Sequence, residues 1–147
     1  MNKIFWIIMA SLSGAFLPIQ AGLNAKLGKA GGSPVHASMI SFLVGTVALV
    51  FYILLTNQTV SWSGIKEAPL YTWVGGLLGA FYVTVIILSF PQLGPGLTFG
   101  LVIAGQMIIS VLLEHFNILV SNPHPINLPR VIGVVLVIAG VIIIRKF

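Results

Sequence analysis

The sequence predicts an all-α membrane protein with five transmembrane helices, and three observations carry that prediction. Of 147 residues only 7 are basic and 2 acidic, while 58% are hydrophobic and the mean hydropathy is +1.11; a soluble domain carries roughly 25% charged residues. The charges stand at positions 3, 26, 29, 66, 67, 114, 130, 145 and 146, leaving uncharged stretches at 4–25, 30–65, 68–113 and 131–144, which is the spacing of repeated membrane crossing. Clusters of Gly, Pro, Asn and Ser interrupt the apolar stretches that are too long for one span.

The first helix is expected over about 4–23. Lys3 ahead of an apolar stretch invites a signal-peptide reading, but Ile19 and Leu23 stand where cleavage needs small residues, and the apolar run is too long for a signal core. A second helix, about 35–55, follows the Gly31, Gly32, Ser33, Pro34 turn, with Ser33 suited to cap and Pro34 to start it. Thr56 to Pro69 reads as a polar connection. The stretch 68–113 is broken near its middle by Pro91, Gly94, Pro95 and Gly96, so a third helix is expected over about 70–90 and a fourth over about 97–113. A loop holding Asn117, Asn122, Pro123, His124, Pro125, Asn127 and Pro129 leads to a fifth helix at about 130–145. Its apolar core, 131–144, reaches only about 21 Å at 1.5 Å per residue, so Arg130 and Arg145 must snorkel or the bilayer thin. All five helices are expected to form a single transmembrane domain over 1–147.

Several function classes are excluded by composition. Seven basic residues, spread one or two at a time, make no phosphate-reading patch, so nucleic acid is not an expected partner. With no cysteine there is neither a disulfide nor thiol chemistry. His36, His115 and His124 have no metal-binding spacing, and no nucleophile with a base or phosphate-cradling loop is evident, so the chain is read as a non-enzyme with no catalytic residue, metal or cofactor. The Asn57, Gln58, Thr59 glycosylation pattern is read as chance. Trp62 and Trp73 suit the membrane interface. Five crossings put Lys3, Lys66 and Arg130 on one side and Lys26, Lys29, Arg145 and Lys146 on the other. Three against four is nearly a tie, and near-equal positive flanks permit insertion either way up.

Polar residues inside the apolar stretches are the candidate solute contacts. Trp6, Ser13, Gln20 and Asn24 fall within about 40° of one another at 100° per residue, forming one stripe on the first helix. Intramembrane amides are costly toward lipid and face a cavity or a partner helix. Pro18, in the same segment, is expected to kink the helix. Tyr82 is the one bulky amphipathic group on a face that also carries Gly75 and Ser89, and Gln106 lies near midplane depth in the fourth helix. Gly96, Gly100 and Ala104 form a small-residue stripe for helix contact. Glu114 is either a proton or cation site, if burial raises its pKa, or an interfacial helix end. His36 is a second titratable candidate near the cavity mouth. Gly133 and Gly140 lie on one face of the fifth helix, suited to packing.

The succession Pro18, Gln20, Asn24, Ser33, Pro34, Phe42, Gly45, Thr46, Gly75, Gly76, Gly79, Ala80, Gly105, Gln106, Glu114, His115, Phe116, Arg130 and Gly133 resembles the YdcZ-like five-helix proteins of the drug/metabolite transporter superfamily. Glu114, where an Asp is more usual, and Asn117, where a Gly would follow Phe116, depart from the pattern. The resemblance implies a bacterial cytoplasmic (inner) membrane protein built like one half of a ten-helix carrier. It implies a secondary carrier for a small organic solute, working by alternating access in an antiparallel homodimer; the aromatic and amide candidates, with no buried Arg or Lys, favour a cationic or neutral solute. Trp6, Gln20, Asn24, Tyr82 and Gln106 would then contact solute, Glu114 and His36 would serve coupling, and lipid would be the surrounding partner. The alternatives are a non-transporting membrane subunit or assembly factor, and a lipid-carrier translocase.

Overall fold

The computed structural model describes residues 2–146. Among the described residues four helical stretches are long and apolar enough to cross a membrane: Lys3–Ala30, Pro34–Thr56, Leu70–His115 and Leu128–Lys146. They divide into two compact units, one from the amino terminus to Pro91 and one from Gln92 onward.

In the first unit, helix α1 (Lys3–Ala30) begins at Asn2, whose Oδ1 accepts from the Ile4 N–H, and runs without a break through Pro18. It continues seven residues past the expected end at 23. Lys26 and Lys29 end the apolar run but not the helix, because lysine is a good helix former and is favoured at the negative end of the helix dipole. The stop is a backbone event at Gly31 and Gly32. The Gly31 N–H bonds the Leu27 carbonyl, the Ser33 N–H bonds the Gly28 carbonyl, and Gly32 takes φ +67°, a conformation glycine reaches without strain. Helix α2 (Pro34–Thr56) opens as expected on Ser33, whose Oγ accepts from the His36 N–H at 3.3 Å, and closes on Asn57 in the left-handed region.

The connection after α2 is more structured than a loop. Ser61 caps a short helix α3 (Trp62–Glu67), and a 3-10 turn over Leu70–Trp73 follows, closed by the Thr72 hydroxyl donating to the Pro69 carbonyl at 2.7 Å. The third apolar helix therefore starts at Val74 rather than at residue 70. A serine cap and a proline N-terminal to a turn hold local structure that hydropathy does not register.

Helix α4 (Val74–His115) has 42 residues and one non-helical residue, Gly94, at φ 75°, ψ 163°. An unbroken helix of that length would reach about 63 Å, twice a hydrocarbon core of about 30 Å. Gly94 divides it into arms 74–93 and 95–115, each about 30 Å long. The expected six-residue break from Pro91 to Gly96 is thus a single residue: Pro91 lies within the helical stretch, and Pro95 sits in the first turn of the second arm, where its missing N–H costs nothing. That arm ends at His115, two residues beyond the expected 113. Helix α5 (Leu128–Lys146) is longer than the expected 130–145, because Asn127 caps it, its Oδ1 accepting from the Arg130 N–H at 3.1 Å. At 19 residues it reaches about 28 Å, so the thinning argued from its 14-residue apolar core is not required.

Small residues set the packing within each unit. Gly28 faces Pro34, Ala37 and Ile87 so closely that a Cβ there would lie 3.3 Å from Ile87 Cγ2. A Cβ on Gly79 would lie 3.4 Å from the Phe42 ring. Ser38, buried, donates to the Pro34 carbonyl and meets Thr84 Oγ1 at 2.9 Å, so the Thr84 hydroxyl supplies the second proton. In the second unit, Gly96 faces Ile144 and Gly100 faces Val141, with a Cβ on Gly100 only 3.1 Å from Val141 Cγ2. Residue numbers rising along one helix as they fall along the other make this pair antiparallel. These contacts fit membrane helix association, which depends on close backbone approach rather than on water exclusion.

Candidate functional site

The candidate site lies in the first unit, where α1 and α2 run antiparallel. Asn24, 8% exposed, donates from Nδ2 to Ser41 Oγ at 3.1 Å. One turn back along α1 and one turn forward along α2, the helices leave an open cleft of about 270 Å³. Its walls are Gln20 of α1, Ser41, Phe42, Gly45, Thr46 and Leu49 of α2, and Val83 of α4. The volume is just below the roughly 300–1,000 Å³ usual for small-molecule sites.

The polar groups of the cleft differ in what they have left to offer. Ser41 Oγ already accepts from Asn24, and its own proton has no partner among the described residues. Thr46 is the reverse, since its hydroxyl donates to the Phe42 carbonyl at 2.8 Å and only the oxygen lone pairs remain. The Gln20 amide has no hydrogen-bond partner among the described residues. Among the described residues no ionisable side chain lines the cleft.

Of the five expected solute contacts, Gln20 alone lines this cleft. Asn24 lies beside it but spends its amide on α2. Trp6 is exposed near the start of α1 and stacks edge-on against Phe5, with centroids 5.4 Å apart. Tyr82 is half-buried and adjoins the lining residue Val83 in sequence without lining the cleft itself. Gln106 is exposed in the second unit. Ser41, Gly45 and Thr46 were not singled out as solute contacts from residue types. Their signal was a small and polar stripe with Phe42 and Leu49 on one face of an otherwise apolar helix.

The two coupling candidates are both engaged. His36 Nδ1 lies 2.8 Å from Ser33 Oγ at the start of α2. Glu114 forms an ion pair with Arg130, both side chains about a quarter exposed. Arg130 also donates from Nη1 to the His124 carbonyl at 2.7 Å, and His115 Nδ1 accepts from the Ile126 N–H at 3.2 Å. These groups fasten the 116–127 loop to the ends of both flanking helices. Below them Ile108, Val111, Leu112, Ile126, Val131 and Val134 line a smaller, almost wholly apolar hollow of about 150 Å³. Among the described residues no group of three His, Asp or Glu side chains is arranged to hold a metal.

Residues 5–143 match the family model described as "Putative inner membrane exporter, YdcZ". The chain is also similar to the Inner membrane protein YdcZ of Escherichia coli (strain K12), at 24% identity over 150 residues that cover 99% of this chain and 98% of the relative. No solved structure matches it.

Proposed function

The chain belongs to the YdcZ family of the drug/metabolite transporter superfamily, and from that premise we propose that it is a secondary carrier exporting a small organic solute across a bacterial inner membrane. Family membership and the apolar helices are consistent with a multi-pass membrane transporter. The observation that carries the reading is the Gln20 amide, unpartnered among the described residues and lining a cleft of about 270 Å³. An intramembrane amide with no helix to bond is costly unless a cavity uses it.

In this reading the two arms of α4 each cross the membrane, making five crossings, and two copies associate antiparallel to supply both halves of an alternating-access carrier. The near tie of positive charge on the two sides supports dual insertion. The open space around Gly133 and Gly140 leaves a small-residue face on α5 for a second copy. Glu114, held by Arg130, serves to fasten the 116–127 loop rather than to carry protons. The chain is not an enzyme and needs no cofactor.

Vesicles reconstituted with purified protein and loaded with a mixed pool of small amides, alcohols and amines test the proposal, with release followed by mass spectrometry. Wild-type vesicles should release at least one component faster than protein-free vesicles and faster than vesicles holding the Gln20→Leu variant. Equal release from all three would remove the carrier reading and favour an assembly factor whose polar residues only join helices, as the Asn24–Ser41 bond does.

A further inference from the structure

We propose that the cleft selects an uncharged solute that pairs a hydrogen-bond donor and an acceptor beside an apolar group, the chemistry of a small carboxamide, and discriminates against organic ions. The inference rests on the reading of this cleft as the carrier's solute site and gives that solute a chemical class.

The hydrogen-bond accounting sets the complement. Ser41 accepts from Asn24 and retains its proton to donate, with one lone pair left, and Thr46 retains only acceptor lone pairs because its proton is given to the Phe42 carbonyl. Gln20 supplies two further N–H donors and a carbonyl oxygen as acceptor. The cleft therefore offers both donors and acceptors, with acceptor sites in excess, and a carboxamide presents a matching set of one carbonyl oxygen and two N–H protons. A solute with acceptors alone would leave Thr46 unmatched, and one with donors alone would leave Ser41 unmatched. Unmatched polar groups in a site of this kind are a strong source of discrimination.

Charge decides the rest. Among the described residues no carboxylate lines the cleft to balance a cation and no Lys or Arg to balance an anion. The nearest charge along α1 is Lys26, six residues and about 9 Å of helix rise beyond Gln20, and its sign opposes a cation. An ion brought to membrane depth without a countercharge loses hydration that nothing replaces. The Phe42 ring is the one group that favours a cation, through its π face, and that attraction is small beside the lost hydration. Phe42, Leu49 and Val83 instead supply an apolar wall for the uncharged part of the solute.

Four probes of similar size separate the possibilities: benzamide, benzylammonium, benzoate and toluene, each titrated at pH 7 against the full chain in phosphatidylcholine nanodiscs, with thermal unfolding followed by tryptophan fluorescence. Benzamide should raise the midpoint saturably and the other three should not. In Gln20→Leu, which breaks no bond in the structure, benzamide should bind about tenfold more weakly, the worth of one good hydrogen bond. Thr46→Val should weaken it similarly, whereas Ser41→Ala also strands Asn24 and is read only alongside the other two. A shift from benzylammonium or benzoate equal to that of benzamide overturns the solute class while leaving the carrier reading to the release experiment. An equal shift from toluene, no shift from any probe, or a benzamide shift unchanged in Gln20→Leu overturns it as well.

Discussion

Asn24 donates its amide proton to Ser41 across 3.1 Å, while Gln20, four residues earlier on the same face of α1, has no partner among the described residues. Two similar side chains on one stripe thus do different work, and substitution should separate them. Interhelical hydrogen bonds in membranes average about 0.6 kcal/mol and reach about 1.7. Asn24→Leu should therefore lower stability by about 1 kcal/mol in reversible detergent unfolding. Gln20→Leu should change it by less than about 0.5 kcal/mol while slowing solute release from vesicles. Equal destabilisation by both would mean that Gln20 also holds a helix.

Gly94 tests the break in α4. Its φ 75°, ψ 163° lies in a region open essentially only to glycine, and nothing stands within 4 Å of where a Cβ would be. The cost of Gly94→Ala is then conformational alone, about 1–3 kcal/mol, read as a lower unfolding midpoint. The same change at Gly105, helical and equally uncrowded, should be neutral or slightly stabilising.

Thr98, 2% exposed, keeps its hydroxyl unpaired among the described residues. A threonine in a helix ordinarily returns its proton to the carbonyl four residues back, but here that residue is Gly94, where the helix is broken. Thr98→Val keeps the shape and removes a desolvated hydroxyl, so it should raise stability by about 1 kcal/mol. A lower midpoint would show that the hydroxyl has a partner, such as a buried water.

The clasp over the 116–127 loop should be modest in energy and local in effect. With both side chains about a quarter exposed, the Glu114–Arg130 pair is worth about 1 kcal/mol or less. Glu114→Gln should speed amide hydrogen exchange in that loop with little change in exchange of α1 or α2. His115→Ala should do the same through loss of the Ile126 N–H bond. Exchange unchanged in both variants would mean that other contacts hold the loop.

Orientation is checked by fusing to the carboxy terminus a reporter pair, one active only in the cytoplasm and one only outside it. Both should give signal. Removing Lys3, or adding one lysine beside it, should shift the ratio of the two in opposite directions. A single active reporter in every variant would end the antiparallel reading.

The helices were legible because hydropathy and charge spacing report lipid contact directly, and Ser33, Pro34 and the Gly31–Gly32 pair marked one turn closely. What escaped were events governed by backbone chemistry. The lysines of α1 end its apolar run but not its hydrogen bonding, Ser61 starts a helix too short to have a period, and Asn127 begins α5 before its arginine. In the site, Gln20 stood out because an amide is conspicuous among apolar neighbours. Ser41 and Thr46 did not, because a hydroxyl on a helix can satisfy itself on the preceding turn, as Thr46 does. What distinguishes Ser41 is the Asn24 amide on another helix, a relation that exists only after folding.

Phe42 belongs to two surfaces at once: one side of its ring packs where Gly79 has no side chain, and the ring also walls the cleft. A single methyl at position 79 would rest against the ring at about 3.4 Å, in ordinary contact, whereas a larger side chain there would press the ring forward and narrow the space in front of it. Drift at a residue that never meets the solute can thus retune what a descendant of this chain will carry, so its selectivity can diverge while every contacting side chain stays the same.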